Sequence, residues 1–196
     1  ILGMELKHKQ RFFLNVYFFL SGICFSTWTS RIPTIKAHFD YNDAELGTVL
    51  LFMPISSLIG LPLSGWLVSR FDSRQPMTAG LLFLALAMTF IGWAPTTFLL
   101  ICGVCLFAFS MRIMNIAVNT QAITLQKQFD RKINGTFHGL WSTGGIVGIG
   151  ISTLFVWWEV SMGIHLTIVA ILTIATALYS YPFLLREDRA VSANKL

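Results

Sequence analysis

The chain has 196 residues, 55% of them hydrophobic and 12% charged, with a formal net charge of +5 and a mean hydropathy of +0.68. A soluble domain carries about twice that charged fraction, so the composition excludes a water-soluble globular fold. The positive balance reports membrane topology and contact with anionic lipid, and no nucleic-acid reading is drawn from it.

A helix needs about 20 mostly apolar residues to cross the hydrocarbon of a bilayer. Six stretches have that character: 12–28, 46–68, 77–93, 97–123, 137–158 and 162–185. The expectation is an all-α integral membrane protein, with a cytoplasmic tail at 1–11, a six-helix bundle at 12–186, and a second tail, or the start of a central loop, at 187–196. Residues 1–3, ahead of Met4, are set aside.

The basic "KHKQR" before the first apolar run has the outline of a signal peptide, but the run is long and no A-x-A-like cleavage site follows, so it reads as the first span. That span carries Asn15, Gly22, Ser26 and Thr29, which fall within about 60° of helical arc. The connection "RIPTIKAHFDYNDAEL" ends a helix at Ile32-Pro33 and then offers Asn42 as N-cap with Glu45 three residues on, a capping box opening the second span. The second span runs out through "GWLVSRFDSRQ", a glycine near a helix end followed by a tight, arginine-bearing turn.

In the fourth span, "LFAFSMRIMNIAVNTQ" sets Arg112 in a stripe with Cys105, Ala108, Asn115 and Asn119; at 100° per residue these positions share about 80° of arc. Counted from Thr97, Arg112 lies about 22 Å deep. A lipid-facing arginine there costs at least about 2.5 kcal/mol. Two readings stand: the side chain snorkels to the inner interface, or the stripe faces a polar cavity.

"FHGLWSTGGIVG" opens the fifth span with His138, Trp141 and Ser142 one turn apart. This face could stack a sugar-like ring or pass a proton, and the equal alternative is that His138 holds the helix start to its loop. Gly144, Gly148 and Ser152 have the small-xxx-small spacing that lets another helix approach, and packing is the preferred role. The sequon at Asn134 lies in an inner loop and is not read as glycosylated. Cys24, Cys102 and Cys105 fall inside spans, and "CGVC" lacks a second ligand pair, so no metal or cofactor is assigned.

Lysines and arginines fix the orientation. With the N-terminus inside, that side holds eleven of them and the outside only Arg31 and Lys36, so both termini are expected in the cytoplasm. Trp93, Trp157 and Trp158 at outer helix ends, and Trp66 at an inner one, form the interfacial belt. Loop lengths run long, short, very short and then begin again with the opposite membrane sense, the outline of two inverted three-helix repeats. All nine Asp and Glu fall in loops or tails, and neither HExxH nor G-x-S-x-G occurs, so no catalytic residue is named and no enzyme is expected.

The segments "STWTSRIPTIKAHF", "NIAVNTQAITLQKQF" and "FHGLWSTGGIVG" resemble the bacterial branch of the major facilitator superfamily that includes the YbjJ-type inner-membrane proteins, relatives of sugar permeases. The turn after the second span resembles the signature loop of that superfamily. Gly65, Arg70 and Arg74 match its pattern, while Ser69 stands where the acid belongs, Asp72 where a glycine belongs and Gln75 where the last basic residue belongs. The resemblance implies a gating role for this loop, with Asp72 as a substitute acid. It implies a bacterial inner-membrane location and an N-terminal half only, since a full member has twelve spans. Its first and fourth helices would face the transport cavity, making Asn15, Ser26, Arg112, Asn115, Asn119, His138, Trp141 and Ser142 the candidate substrate residues. The implied function is transport of a small polar solute, sugar-like or anionic, by alternating access. The implied protein partner is a C-terminal half or a second copy. The alternative is a six-helix receptor or assembly protein that does not transport.

Overall fold

The computed structural model describes residues 2–189. Residues 1 and 190–196, and with them most of the expected C-terminal tail and its Lys195, lie outside the described residues. The elements are α1 (Leu2–Ser30), α2 (Ile32–Phe39), α3 (Asp43–Arg70), α4 (Arg74–Gly92), α5 (Thr97–Gln126), α6 (Asn134–Trp157), α7 (Met162–Ser180) and a 3-10 turn, Tyr181–Phe183. Among the described residues, six helices are long and apolar enough to cross a membrane, α1 with α2 counting as one.

Local chemistry sets the boundaries. The Asn42 side chain accepts from the Glu45 amide and the Glu45 carboxylate accepts from the Asn42 amide, each at 2.9 Å, so the capping box is formed as the spacing requires. Thr96 and Ser161 cap α5 and α7 in the same sense, accepting from Leu99 and Ile164. Pro33 behaves differently from expectation: α1 ends at Ser30, and the proline sits in the first turn of a separate short helix, where its missing N–H costs nothing. Asp40 ends α2 in the left-handed region, φ 54°. Lys36 then pairs with Asp43 across the connection.

At its start α1 reaches Leu2, ten residues before the apolar run begins. The basic residues there find partners on the α5–α6 connection and the first turn of α6: Lys7 donates to the Gln128 carbonyl at 2.9 Å and lies over the Phe129 ring, while Arg11 donates to Thr136. The end of the bundle holding these residues, the α3–α4 turn and residues 184–189 is called the basic end below.

Packing follows the repeat. α1 lies along α6, α3 lies along α5, and α4 packs on both α5 and α7. If α1, α3 and α4 exchange with α5, α6 and α7, the α1–α6 pair becomes α5–α3 and the α4–α7 pair maps onto itself, as two inverted three-helix units require, while α4 packs far more closely on α5 than its counterpart α7 does on α1. The α1–α6 seam is tight enough to exclude β-carbons: one at Gly22 would strike the Trp141 carbonyl, one at Gly144 the Phe19 carbonyl, and one at Gly148 the Ser26 hydroxyl. α4 supplies much of the interior, with Met77, Leu81, Leu84, Met88 and Ile91 all fully buried. The remaining faces of α3 and α6 stay apolar and uncovered, at Leu58, Ile59, Ile146 and Trp157 among others, as suits helices whose surroundings are apolar rather than aqueous.

Candidate functional site

Arg112 stands near the middle of the 30-residue α5, and Ser57 near the middle of the 28-residue α3. The parallel helices bring them to one level, about 21 Å from the near ends of both helices. α5 continues to Gln126, so Arg112 has several helical turns on either side of it and stands at the centre of the helix. A β-carbon at Gly60 would sit 3.4 Å from Cβ and Cγ of Arg112, so the absence of a side chain there makes room for the stem of the arginine. From that shelf Nε donates to Ser57 Oγ at 2.8 Å. Ser57 lies one turn from Gly60, on the side away from the basic end, so the side chain turns away from the interface to which it would snorkel. Helical side chains lean toward their own N-terminus, which here has the same sense.

A cavity of about 240 Å³ opens beside this pair, lined by Met53, Pro54 and Ser57 of α3 and by Ala108, Arg112 and Asn115 of α5. Pro54 and Pro62 both interrupt the hydrogen-bond ladder of α3, freeing carbonyls one turn earlier. Asn119, one turn from Asn115, donates its amide to the Asn115 carbonyl at 2.8 Å, so its side chain is engaged within α5.

The other candidates are distributed. Ser26 is buried in the α1–α6 seam against Gly148, its hydroxyl donating to the Ile23 carbonyl. Asn15 is half-buried on α1, with its Oδ1 enclosed and lacking a partner among the described residues. On α6, His138 is exposed and meets the Phe18 ring edge-on at 5.7 Å. Trp141 leans toward Phe25 at 6.0 Å, and Ser142 is exposed beside it. None of these five lines the Arg112 cavity, which belongs to α3 and α5.

At the basic end, Gly65 has open space around it, Arg70 lies over the Trp66 ring, and Arg74 lies over the Tyr181 ring. Asp72 is half-buried, its backbone carbonyl accepting from the Gln75 amide. The carboxylate that engages this turn comes from far along the chain. Asp188, only 4% exposed, accepts from the Ser73 amide at 2.8 Å and from the Ser73 hydroxyl, while Gln121 of α5 donates to Ser73 Oγ and to the Leu185 carbonyl. Arg189 donates to the Arg70 carbonyl at 3.0 Å. The turn is thus clasped by the segment that leaves α7. Nothing in the sequence marks Asp188 for this, because its partners lie 115 residues away.

A second arrangement also escaped sequence reading. Arg31, counted above as a loop charge, is 3% exposed: its Nε donates to His165 Nδ1 at 2.9 Å and Nη2 to the Val160 carbonyl at 2.8 Å. A guanidinium only donates, so Nδ1 accepts, and the imidazole is neutral. The His165 ring stacks on Phe155 at 4.6 Å. Together these ties hold the end of α1 to the α6–α7 connection.

Comparison with known proteins gives consistent results. The family model for the Major Facilitator Superfamily matches residues 2–153. An uncharacterised MFS-type transporter of Yersinia pestis is 31% identical over 149 residues, covering 76% of this chain and 39% of the relative. The uncharacterised transporter y4wD of Sinorhizobium fredii is 30% identical over 157 residues, 79% and 41% respectively. Membrane protein MosC of Rhizobium meliloti is 33% identical over 132 residues, 67% and 32%. The chain therefore spans about two fifths or less of the length of these relatives. Among solved structures, the nucleoside transporter NupG superposes with a TM-score of 0.76 at 15% identity, covering 97% of this chain and 47% of that one. At that identity the likeness is one of fold.

Proposed function

The chain belongs to the major facilitator superfamily, and on that premise we propose that it forms the N-terminal six-helix half of a secondary transporter, moving a small polar solute across the bacterial inner membrane by alternating access. Membership already assigns a multi-pass membrane protein of a transporter family rather than an enzyme family. The observation that carries the finer reading is the Arg112–Ser57 pair with its cavity at the middle of the bundle. Transporters of this construction bind their solutes near the midplane, where two halves meet. An intramembrane charge is costly unless it serves such a site.

In this reading the basic end faces the cytoplasm, supported by the ten lysines and arginines it holds among the described residues. Residues 1–11 and 187–196 are the flanking cytoplasmic segments, and 12–186 form the membrane bundle. Asn15, Asn115, His138, Trp141 and Ser142 contribute to the solute path on faces that a second half would enclose, with Asn119 supporting Asn115 through its bond to that residue's carbonyl. The clasped α3–α4 turn, with Gly65, Arg70, Asp72 and Arg74, acts in gating. The branch of the superfamily is YbjJ-type on the strength of the three sequence segments quoted above.

Alternating access requires a second wall. The six helices are accordingly proposed to work with a C-terminal half, or with a second copy in parallel orientation, since the charge bias fixes one sense of insertion. Mass determination in mild detergent, together with solute uptake into vesicles, tests this. Saturable uptake by a strictly monomeric six-helix species would overturn it, whereas uptake confined to an assembly with a second wall supports it.

A further inference from the structure

We propose that the terminal nitrogens of Arg112 bind a singly charged oxyanion, of the carboxylate or sulfonate class, carried by the transported solute. The inference rests on the transport reading and adds the chemical class of the solute.

Three features of the site lead there. The guanidinium is already positioned, its stem on Gly60 and its Nε bound to Ser57, which leaves Nη1 and Nη2 without a protein hydrogen-bond partner among the described residues. It also has no counter-ion: among the described residues the one ion pair is Lys36–Asp43, and all nine carboxylates of the chain stand in loops, tails or the first turns of helices. Finally, the space beside it holds a second polar side chain, Asn115, in a volume of about 240 Å³. An arginine held by one nitrogen and open at the other two presents the planar fork that matches an oxyanion in bidentate geometry. The midplane position removes lipid headgroups as the source of that anion, because they lie about 15 Å away at the edge of the hydrocarbon. A neutral sugar would leave this half-buried charge uncompensated, which is the costly state in an apolar surrounding.

The test uses the native gene product with Cys24, Cys102 and Cys105 replaced and Asn115→Cys introduced as a reporter beside Arg112. Labelling rates are compared for the anionic sulfonatoethyl and the cationic trimethylammonioethyl methanethiosulfonates, with Gly135→Cys, on open surface, as the reference. The sulfonate is itself an oxyanion probe. The expected result is an anion-over-cation preference at the reporter exceeding that at the reference by about tenfold, lost on adding Arg112→Gln and kept with Arg112→Lys. A ratio unchanged by Arg112→Gln, or no labelling of the folded protein by either reagent, overturns the proposal. Failure of the transport reading is seen separately, as absence of uptake with the labelling ratio intact. Failure of this inference alone is seen as uptake of a neutral solute with no anion preference.

Discussion

Arg112 and the seam glycines show how single residues are decided by what stands opposite them. Arg112 is tolerated at the centre of a membrane helix because Gly60 opens a shelf and Ser57 supplies an acceptor at the same depth. Gly144 is required for a different reason: a β-carbon there meets the Phe19 backbone, which cannot swing aside as a side chain can. Gly144→Val should therefore force α1 and α6 apart and destabilise the bundle by about 1–3 kcal/mol. Gly150→Ala, on open surface of the same helix, is the control and should leave stability unchanged or raise it by up to about 1 kcal/mol. Thermal unfolding midpoints in detergent check both, and equal midpoints for the two variants would remove the seam argument.

Among elements, the segment after α7 carries the clearest consequence. Asp188 satisfies the Ser73 amide at the start of α4, a position where the partial positive charge of a helix N-terminus favours a carboxylate. Asp188→Ala leaves that buried amide without its acceptor, at a cost of about 1–3 kcal/mol, whereas Asp188→Asn keeps an oxygen in place. Trypsin should cut at Arg186 and Arg189 faster in Asp188→Ala than in wild type, with Asp188→Asn intermediate. Unchanged cleavage would mean that Gln121 and Arg189 hold the segment without the carboxylate. At the opposite end, Arg31 and His165 make the corresponding tie between α1 and α7.

For the whole molecule, the distribution of charge and the uncovered apolar faces make separate statements. The charge predicts that tags at both termini are cytoplasmic and that a reporter within the 31–45 connection is external; a C-terminus accessible from outside would break the even count of spans. The apolar faces of α3 and α6 stay uncovered within the six helices, at Leu58 and Ile59 on one and Ile146 and Trp157 on the other.

What the sequence determined by itself is what the bilayer makes one-dimensional. Span number, approximate ends, the capping box at Asn42 and the inverted repeat all follow from hydropathy, length and local hydrogen-bond chemistry along the chain. Trp66, Trp93, Trp157 and Trp158 stand near helix ends and are all at least half exposed. Helical periodicity also placed Arg112 and Asn115 on one face, and both line one cavity. The same periodicity put Asn119 there, yet its amide turned to its own helix, and Ser26 was taken up by the seam. Tertiary structure alone decided which faces met. It supplied Ser57 and Gly60 to Arg112, Asp188 to Ser73 and His165 to Arg31, contacts between residues from 52 to 134 positions apart. No periodicity within one helix specifies such a pairing, because the partner is selected by how two helices rotate and shift against each other when their small residues lock.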